Sequence, residues 1–146
     1  MRWPVKRIDE LFHIARGGSP RPIDSHLTDD PTGMPWIMIG DSKPSSKYIE
    51  GTRKRIKQSS ALRSRVVEPG AFLLTNSMSF GRPYISRIRG CIHDGWLVLE
   101  KKDNNVDDDF FYHALSSRAT FRQFEKLAAG ATVKNLNKEL VAKVQV

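Results

Sequence analysis

Asp94-Gly95 stands between two apolar runs, Cys91-Ile92-His93 and Trp96-Leu97-Val98-Leu99. A two-residue hairpin turn needs positive φ at both central residues, and Asp-Gly supplies it, so the pair predicts an antiparallel hairpin at the centre of the fold. Other short apolar runs point to sheet as well. Trp36 to Ile39, bounded by Pro35 and Gly40-Asp41, reads as a buried strand, and Ala71 to Thr75 reads as a strand running into the polar loop Asn76 to Ser79. Tyr84 to Ile88 alternates, with Tyr84, Ser86 and Ile88 on one face and Ile85, Arg87 and Arg89 on the other.

Helical spacing lies toward the two ends. Ile8, Leu11, Phe12 and Ala15 predict a short amphipathic helix, stopped by Gly17-Gly18 and Ser19-Pro20-Arg21-Pro22. Residues 17 to 35 form a turn-rich loop. Ser59-Ser60 can cap a short helix running to Arg65. Asp107-Asp108-Asp109 favours a helix start by complementing the macrodipole, and Phe111 and Leu115 follow one turn apart. A further helix carries Phe121, Phe124, Leu127 and Ala128 and stops at Gly130. Leu136, Leu140 and Val141 then precede the alternating Val144-Gln145-Val146. The expected class is α+β: a mixed or antiparallel sheet core with short helices at the N-terminus and in the C-terminal third. At 146 residues, the whole chain 1–146 is expected to be one domain.

Charge is unevenly distributed. From Lys43 to Arg89 there are eleven Lys and Arg against two acids, Glu50 and Glu68, a balance of +9; the rest, thirteen basic against fourteen acidic, carries −1. Lys and Arg that neutralise phosphates release condensed counterions, so a basic stretch of this kind favours a polyanion partner if its side chains converge. Lys43, Lys47, Arg53, Lys54, Arg55 and Lys57 are candidate phosphate contacts. Arg82 is a candidate base reader because guanidinium bonds guanine O6 and N7 in pairs; Asn76, Ser77, Ser79 and Tyr84 share its loop or strand, and Arg87 completes the candidate set.

Enzyme signatures are missing. No Gly-x-Gly-x-x-Gly, Walker A, Asx-Pro-Pro-aromatic or Gly-x-Ser-x-Gly motif occurs, and His13, His26, His93 and His113 show no metal-ligand spacing. The lone Cys91 permits neither an internal disulfide nor a Cys-based zinc site. Neither a secretory signal nor a membrane-spanning run is expected, which points to the cytoplasm and away from membranes. Asp94 and Glu100-Lys101-Lys102 imitate the acidic pair and lysine of metal-dependent nucleases. A hairpin would separate the two carboxylates by roughly 15–20 Å, too far to share one metal. No catalytic residue, metal or cofactor is therefore expected.

Several segments resemble one family in order and spacing. Gly17-Gly18-Ser19-Pro20 matches its "G-x-P" after a first helix. Pro35-Trp36-Ile37-Met38-Ile39-Gly40-Asp41 looks like its "PWI…GD" strand and loop. Tyr48 to Thr52, Ile56 and Ser59-Ser60-Ala61 are similar to the segment that follows. Pro69-Gly70-Ala71-Phe72-Leu73-Leu74 and Phe80-Gly81-Arg82 resemble "PG-x-LL…GR", and Gly130 to Val133 with Asn135 to Lys138 looks like the closing motif. The family is the target-recognition domain of type I restriction–modification specificity subunits. The resemblance implies a non-catalytic reader of double-stranded DNA. In that family two such domains each read half of a split target, long helices between them dock the methyltransferase (modification) subunit, and a restriction subunit joins through it. Here one such domain is present and the sequence stops at Val146, before the spacer helix; two expectations stay open, a piece of a longer subunit or a half-subunit that pairs with a copy of itself or with a partner. Two other readings stay open at this point: a small metal-dependent nuclease using Asp94 and Glu100, and a general nucleic-acid or protein docking module.

Overall fold

A computed structural model describes residues 5–43, 46–76, 81–103, 106–129 and 137–146. Two mixed five-stranded sheets pack face to face, with helices on the outer face of one. The first sheet has the order β1 (Phe12–Arg16), β10 (Trp96–Lys101), β7 (Phe72–Thr75), β8 (Pro83–Ser86), β4 (Tyr48–Ile49). Its pairs are antiparallel except β8 with β4. The second has the order β2 (Leu27–Thr28), β5 (Lys54–Ile56), β3 (Met34–Ile37), β9 (Gly90–Ile92), β6 (Arg65–Val67), with β3 and β9 parallel.

Strand period places the core. Trp96 and Val98 point with Leu73, Tyr84, Ile37 and Ile92 into the space between the sheets. Leu97 and Leu99 point with Phe72, Leu74 and Ile85 to the opposite face, where Leu115, Phe124 and Val141 of the helices cover them. The first sheet is thus buried on both faces, which is why Phe72 to Leu74 and Trp96 to Leu99 are unbroken apolar runs. The same coverage buries every residue of β8, so Tyr84 and Ile85 both face core. The indole N–H of Trp96 donates to the Ile37 carbonyl at 3.2 Å and ties the sheets together. On the outer face of the second sheet, Met34, Trp36, Ile56, Ala61 and Cys91 form a smaller core.

The expected hairpin at Asp94-Gly95 does not form. β9 and β10 flank the turn but belong to different sheets, and Gly95 does not take the positive φ of a primed turn. What Gly95 supplies is space: a Cβ there would overlap the His93 ring and reach Ile39 Cδ1 at 3.0 Å. The chain therefore crosses from one sheet to the other, closed by Trp96 N donating to His93 O at 3.2 Å.

The first helix, α1 (Ile8–Leu11), is shorter than the periodicity suggests, and β1 takes over at Phe12 because that half pairs with β10. The Ser59-Ser60 segment is a 3-10 helix, Gln58–Arg63. In the C-terminal third, α2 (Asp108–Ser116) starts where the aspartates predict, followed by α3 (Arg118–Ala129) and α4 (Lys138–Ala142). The Asp107 side chain caps α2 by accepting from Phe110 N at 2.8 Å. Asp107→Ala is expected to cost about 1 kcal/mol in urea unfolding, and Asp107→Asn little. The Gly130 stop lies outside the described residues.

Candidate nucleic-acid interface

The β9–β10 turn organises one end of the sandwich. β1 finishes there: Gly17 N donates to Trp96 O at 2.9 Å and Gly18 N to Ile92 O at 3.1 Å. β7 finishes there: Asn76 N donates to Gly95 O at 3.0 Å and its Nδ2 to Asp94 O at 2.9 Å. β6 begins there, with Arg65 Nε donating to Arg16 O at 2.7 Å. β3 ends beside it, since Ile37 O accepts from His93 N and Ile39 N donates to His93 Nε2 at 3.1 Å. β8 begins next to the end of β7, through Thr75 N to Arg82 O at 3.1 Å, and β4, parallel to β8, begins on the same side. The topology thus gathers Arg16, Arg21, Arg65 and Arg82 at this turn end. Arg53 joins them through the loop after β3, its Nη2 donating to Gly40 O at 3.0 Å.

Charge pairing separates this end from the opposite one. At the far end, Arg87 meets Glu50 at 3.5 Å, Arg89 meets Glu68 at 2.9 Å and Lys101 meets Asp108 at 2.8 Å. Among the described residues, Arg16, Lys43, Arg53, Lys54, Arg65 and Arg82 at the turn end form no ion pair with a carboxylate. Asp41 and Asp94 hold other groups there. Asp41 accepts from Met38 N at 2.9 Å and Arg53 N at 3.1 Å. Asp94 accepts from the Ser19 hydroxyl at 3.0 Å, with Arg21 at 3.6 Å. Partial burial pushes the Asp94 carboxyl up, but the Ser19 hydroxyl, a backbone N–H, His93 and Arg16 outweigh it and hold the pKa below the usual carboxylate value. Burial drives His93 below the ordinary imidazole value against the pull of Asp94 and Asp41. Among the described residues, no group of three His, Cys, Asp or Glu could hold a metal ion, and no helix is long and apolar enough to cross a membrane.

The model of the type I restriction modification DNA specificity domain matches residues 1–146. The chain belongs to this family. Solved structures share its fold. The HsdS subunit from Thermoanaerobacter tengcongensis superposes with a TM-score of 0.69 at 19% identity, covering 98% of this chain and 32% of that one. The S subunit of a type I restriction–modification system from M. genitalium gives 0.62 at 18%, covering 99% and 33%. A structure concerned with complex assembly and conformational transition of the type I R-M system gives 0.73 at 21%, covering 99% and 33%. The chain spans about a third of the length of these structures. At such identities they show the fold, and family membership assigns DNA target recognition as the domain's task.

The specificity domain brings together only part of the set expected from sequence. Lys43, Arg53, Lys54 and Arg82 are exposed at the turn end or on the loop leaving it. Lys47 is there too, but it is bonded to Asp109 and lies 4.9 Å from the centre of the Tyr112 ring. That bond to Asp109 raises the lysine's pKa and lowers the aspartate's. Arg55 turns away to donate to Gly33 O at 2.9 Å. Lys57 follows the far end of β5, and Arg87 stacks 3.6 Å from the Tyr48 ring centre at the far end. Asn76 and Tyr84 need correcting as base readers. Asn76 is 1% exposed and serves as an anchor, and Tyr84 is 3% exposed with its ring edge-on to Trp96 at 5.9 Å between the sheets. Ser77 and Ser79 lie outside the described residues.

Sequence reasoning missed Arg16, Arg21 and Arg65 as members of the site. Arg65 had been counted in the basic stretch, but nothing in the sequence said that it meets Arg16. The other two lie outside that stretch, although Arg21 sits in the Gly-Gly-Ser-Pro-Arg-Pro segment that the family resemblance singles out. Neither Asp41 nor Glu68 pairs with Arg82: Asp41 serves Met38 N and Arg53 N, and Glu68 serves Arg89.

Proposed function

We propose that the turn end of this domain binds double-stranded DNA and reads one half of a bipartite target. The other half falls to a second domain of the same kind, in the same subunit or in a paired copy. The domain contributes address and no chemistry: methylation comes from a modification subunit brought to the site, and cleavage from a restriction subunit acting through it. Lys43, Arg53 and Lys54 grip phosphates, and Arg82 enters the groove from the foot of the β7–β8 loop. Gly81, with φ +79°, makes the turn into Arg82 possible.

The observation that supports this reading most is the contrast in pairing. Arg87, Arg89 and Lys101 at the far end already have carboxylate partners, whereas Lys43, Arg53, Lys54 and Arg82 at the turn end have none among the described residues. A cation without a carboxylate partner is available to a phosphate or a guanine edge. The nuclease reading has no comparable support. The Asp94 carboxylate is engaged by Ser19 and Arg21, while Glu100 lies opposite His13 toward the far end of β10.

Selection from a random duplex library at stated salt, followed by sequencing, is expected to return one short preferred sequence. Arg82→Ala should then weaken binding to that site by ~1–3 kcal/mol and relax the preference at one base position. Unchanged affinity and preference would remove Arg82 from the interface.

A further inference from the structure

Asp94 is an acid in the middle of a surface read here as DNA-facing, where charge alone makes it a liability. Its contacts give it another role. The carboxylate accepts from the Ser19 hydroxyl at 3.0 Å and lies 3.6 Å from the Arg21 guanidinium. The Asp94 N–H faces the same Ser19 oxygen at 3.4 Å, so serine and turn hold each other. The Asp94 carbonyl accepts from Arg16 Nε at 3.1 Å and from Asn76 Nδ2 at 2.9 Å. Four groups therefore converge on one residue: Arg16 from the end of β1, Ser19 and Arg21 from the loop after it, and Asn76 from the foot of the β7–β8 loop. Each of those segments carries or adjoins an arginine assigned above to the interface. Arg16 spends only Nε on the turn, which leaves the outer N–H groups of its fork to point elsewhere. Arg21 is held loosely on a side chain that is 82% exposed.

We propose that Asp94 is a positioning residue for target selection: its carboxylate, through Ser19 and Arg21, fixes the loop after β1 in the arrangement that distinguishes the correct duplex from others, while its backbone carbonyl holds Arg16 and Asn76 whatever the side chain. This rests on the reading of the turn end as the DNA interface. A pre-set arrangement is worth most where partners must meet specific groups and least where any phosphate will do. Asp94 thus trades some general attraction for discrimination, and that fixes the signs of its test. Removing a negative charge from a DNA-facing surface strengthens binding to every duplex if charge is all that matters. Removing a positioning residue weakens the target alone.

The experiment is an anisotropy titration of the wild-type domain and Asp94→Asn against two labelled duplexes. One is the sequence enriched by selection, and the other is a scrambled duplex of equal length and composition. Asp94→Asn is expected to bind the target about tenfold more weakly and the scrambled duplex equally well or slightly tighter. Target binding that is unchanged or tighter overturns the assignment. So does an equal loss on both duplexes, which is what a merely damaged domain gives. If Asp94→Asn fails to fold, Ser19→Ala removes one carboxylate partner and is expected to give the same split at about threefold. A wild-type domain that prefers no duplex overturns the DNA reading itself, whereas a selective wild type with an equally selective Asp94→Asn overturns only the role of Asp94.

Discussion

Gly17→Ala is expected to destabilise the domain by about 3 kcal/mol or more, the upper end for overpacking a filled site. Gly17 is where the chain leaves β1 in one sheet and passes the end of the other. A methyl group there would overlap the His93 carbonyl oxygen, with His93 C and Ile92 O each at 2.8 Å. All three atoms are backbone, so no side chain can swing aside. All three belong to β9 and its exit toward β10, the segment joining the sheets. Relief would require the sheets to part at the end that carries the interface. Gly18, the next residue, provides the control. Its nearest foreign atoms lie at 3.6 Å or beyond, which is ordinary contact, and neither glycine takes a positive φ. Gly18→Ala is therefore expected to be neutral within ~0.5 kcal/mol, or mildly stabilising through the unfolded chain. Urea midpoints of the two variants decide the matter. Comparable midpoints would mean that the crossing is not tightly packed.

Gly17 also shows what local sequence can and cannot say. Gly17-Gly18 reads as a stop signal, and a stop does occur, but the structure needs only the first glycine to be small. Apolar runs such as Phe72 to Leu74 and Trp96 to Leu99 are legible as strands because burial on both faces leaves no polar alternation. Which sheet each one joins is not legible, because that depends on pairing partners far away in sequence. Asp94-Gly95 carries the composition of a primed hairpin turn and does something else: the glycine makes room for the His93 ring, and composition cannot distinguish that from a demand for positive φ. Ile8 to Ala15 fits a helical period, yet pairing with β10 claims it from Phe12 onward. In the interface, residue type was legible and placement was not. Strands of two to six residues send sequence neighbours to opposite ends, so Lys54 and Lys57 part company within one basic run. Arg16 and Arg21 lay outside that run and were invisible to a charge count.

The separation of Lys54 from Lys57 yields the sharpest test of the interface. Replacing Lys43, Arg53 and Lys54 together by alanine is expected to lower the slope of log K against log salt by roughly 2–3 and to weaken binding about a hundredfold at 50 mM salt, alike for target and scrambled duplexes. Replacing Lys57, Arg87 and Arg89 removes the same number of charges, three, from the same basic stretch. The two arginines are matched to Glu50 and Glu68, and all three residues sit toward the far end. Screening over about 8 Å at physiological salt keeps far-end charges from acting at the turn end. The slope for this second variant is therefore expected to change by less than about 0.5. Because net charge is identical in the two variants, total charge cannot produce a difference between them; only location can. Equal slopes would mean that the attraction is diffuse and that the turn end holds no privileged contact with phosphate. A loss confined to the first variant, spread evenly over all sequences, separates grip from readout, which is left to Arg82 and the groups that aim it.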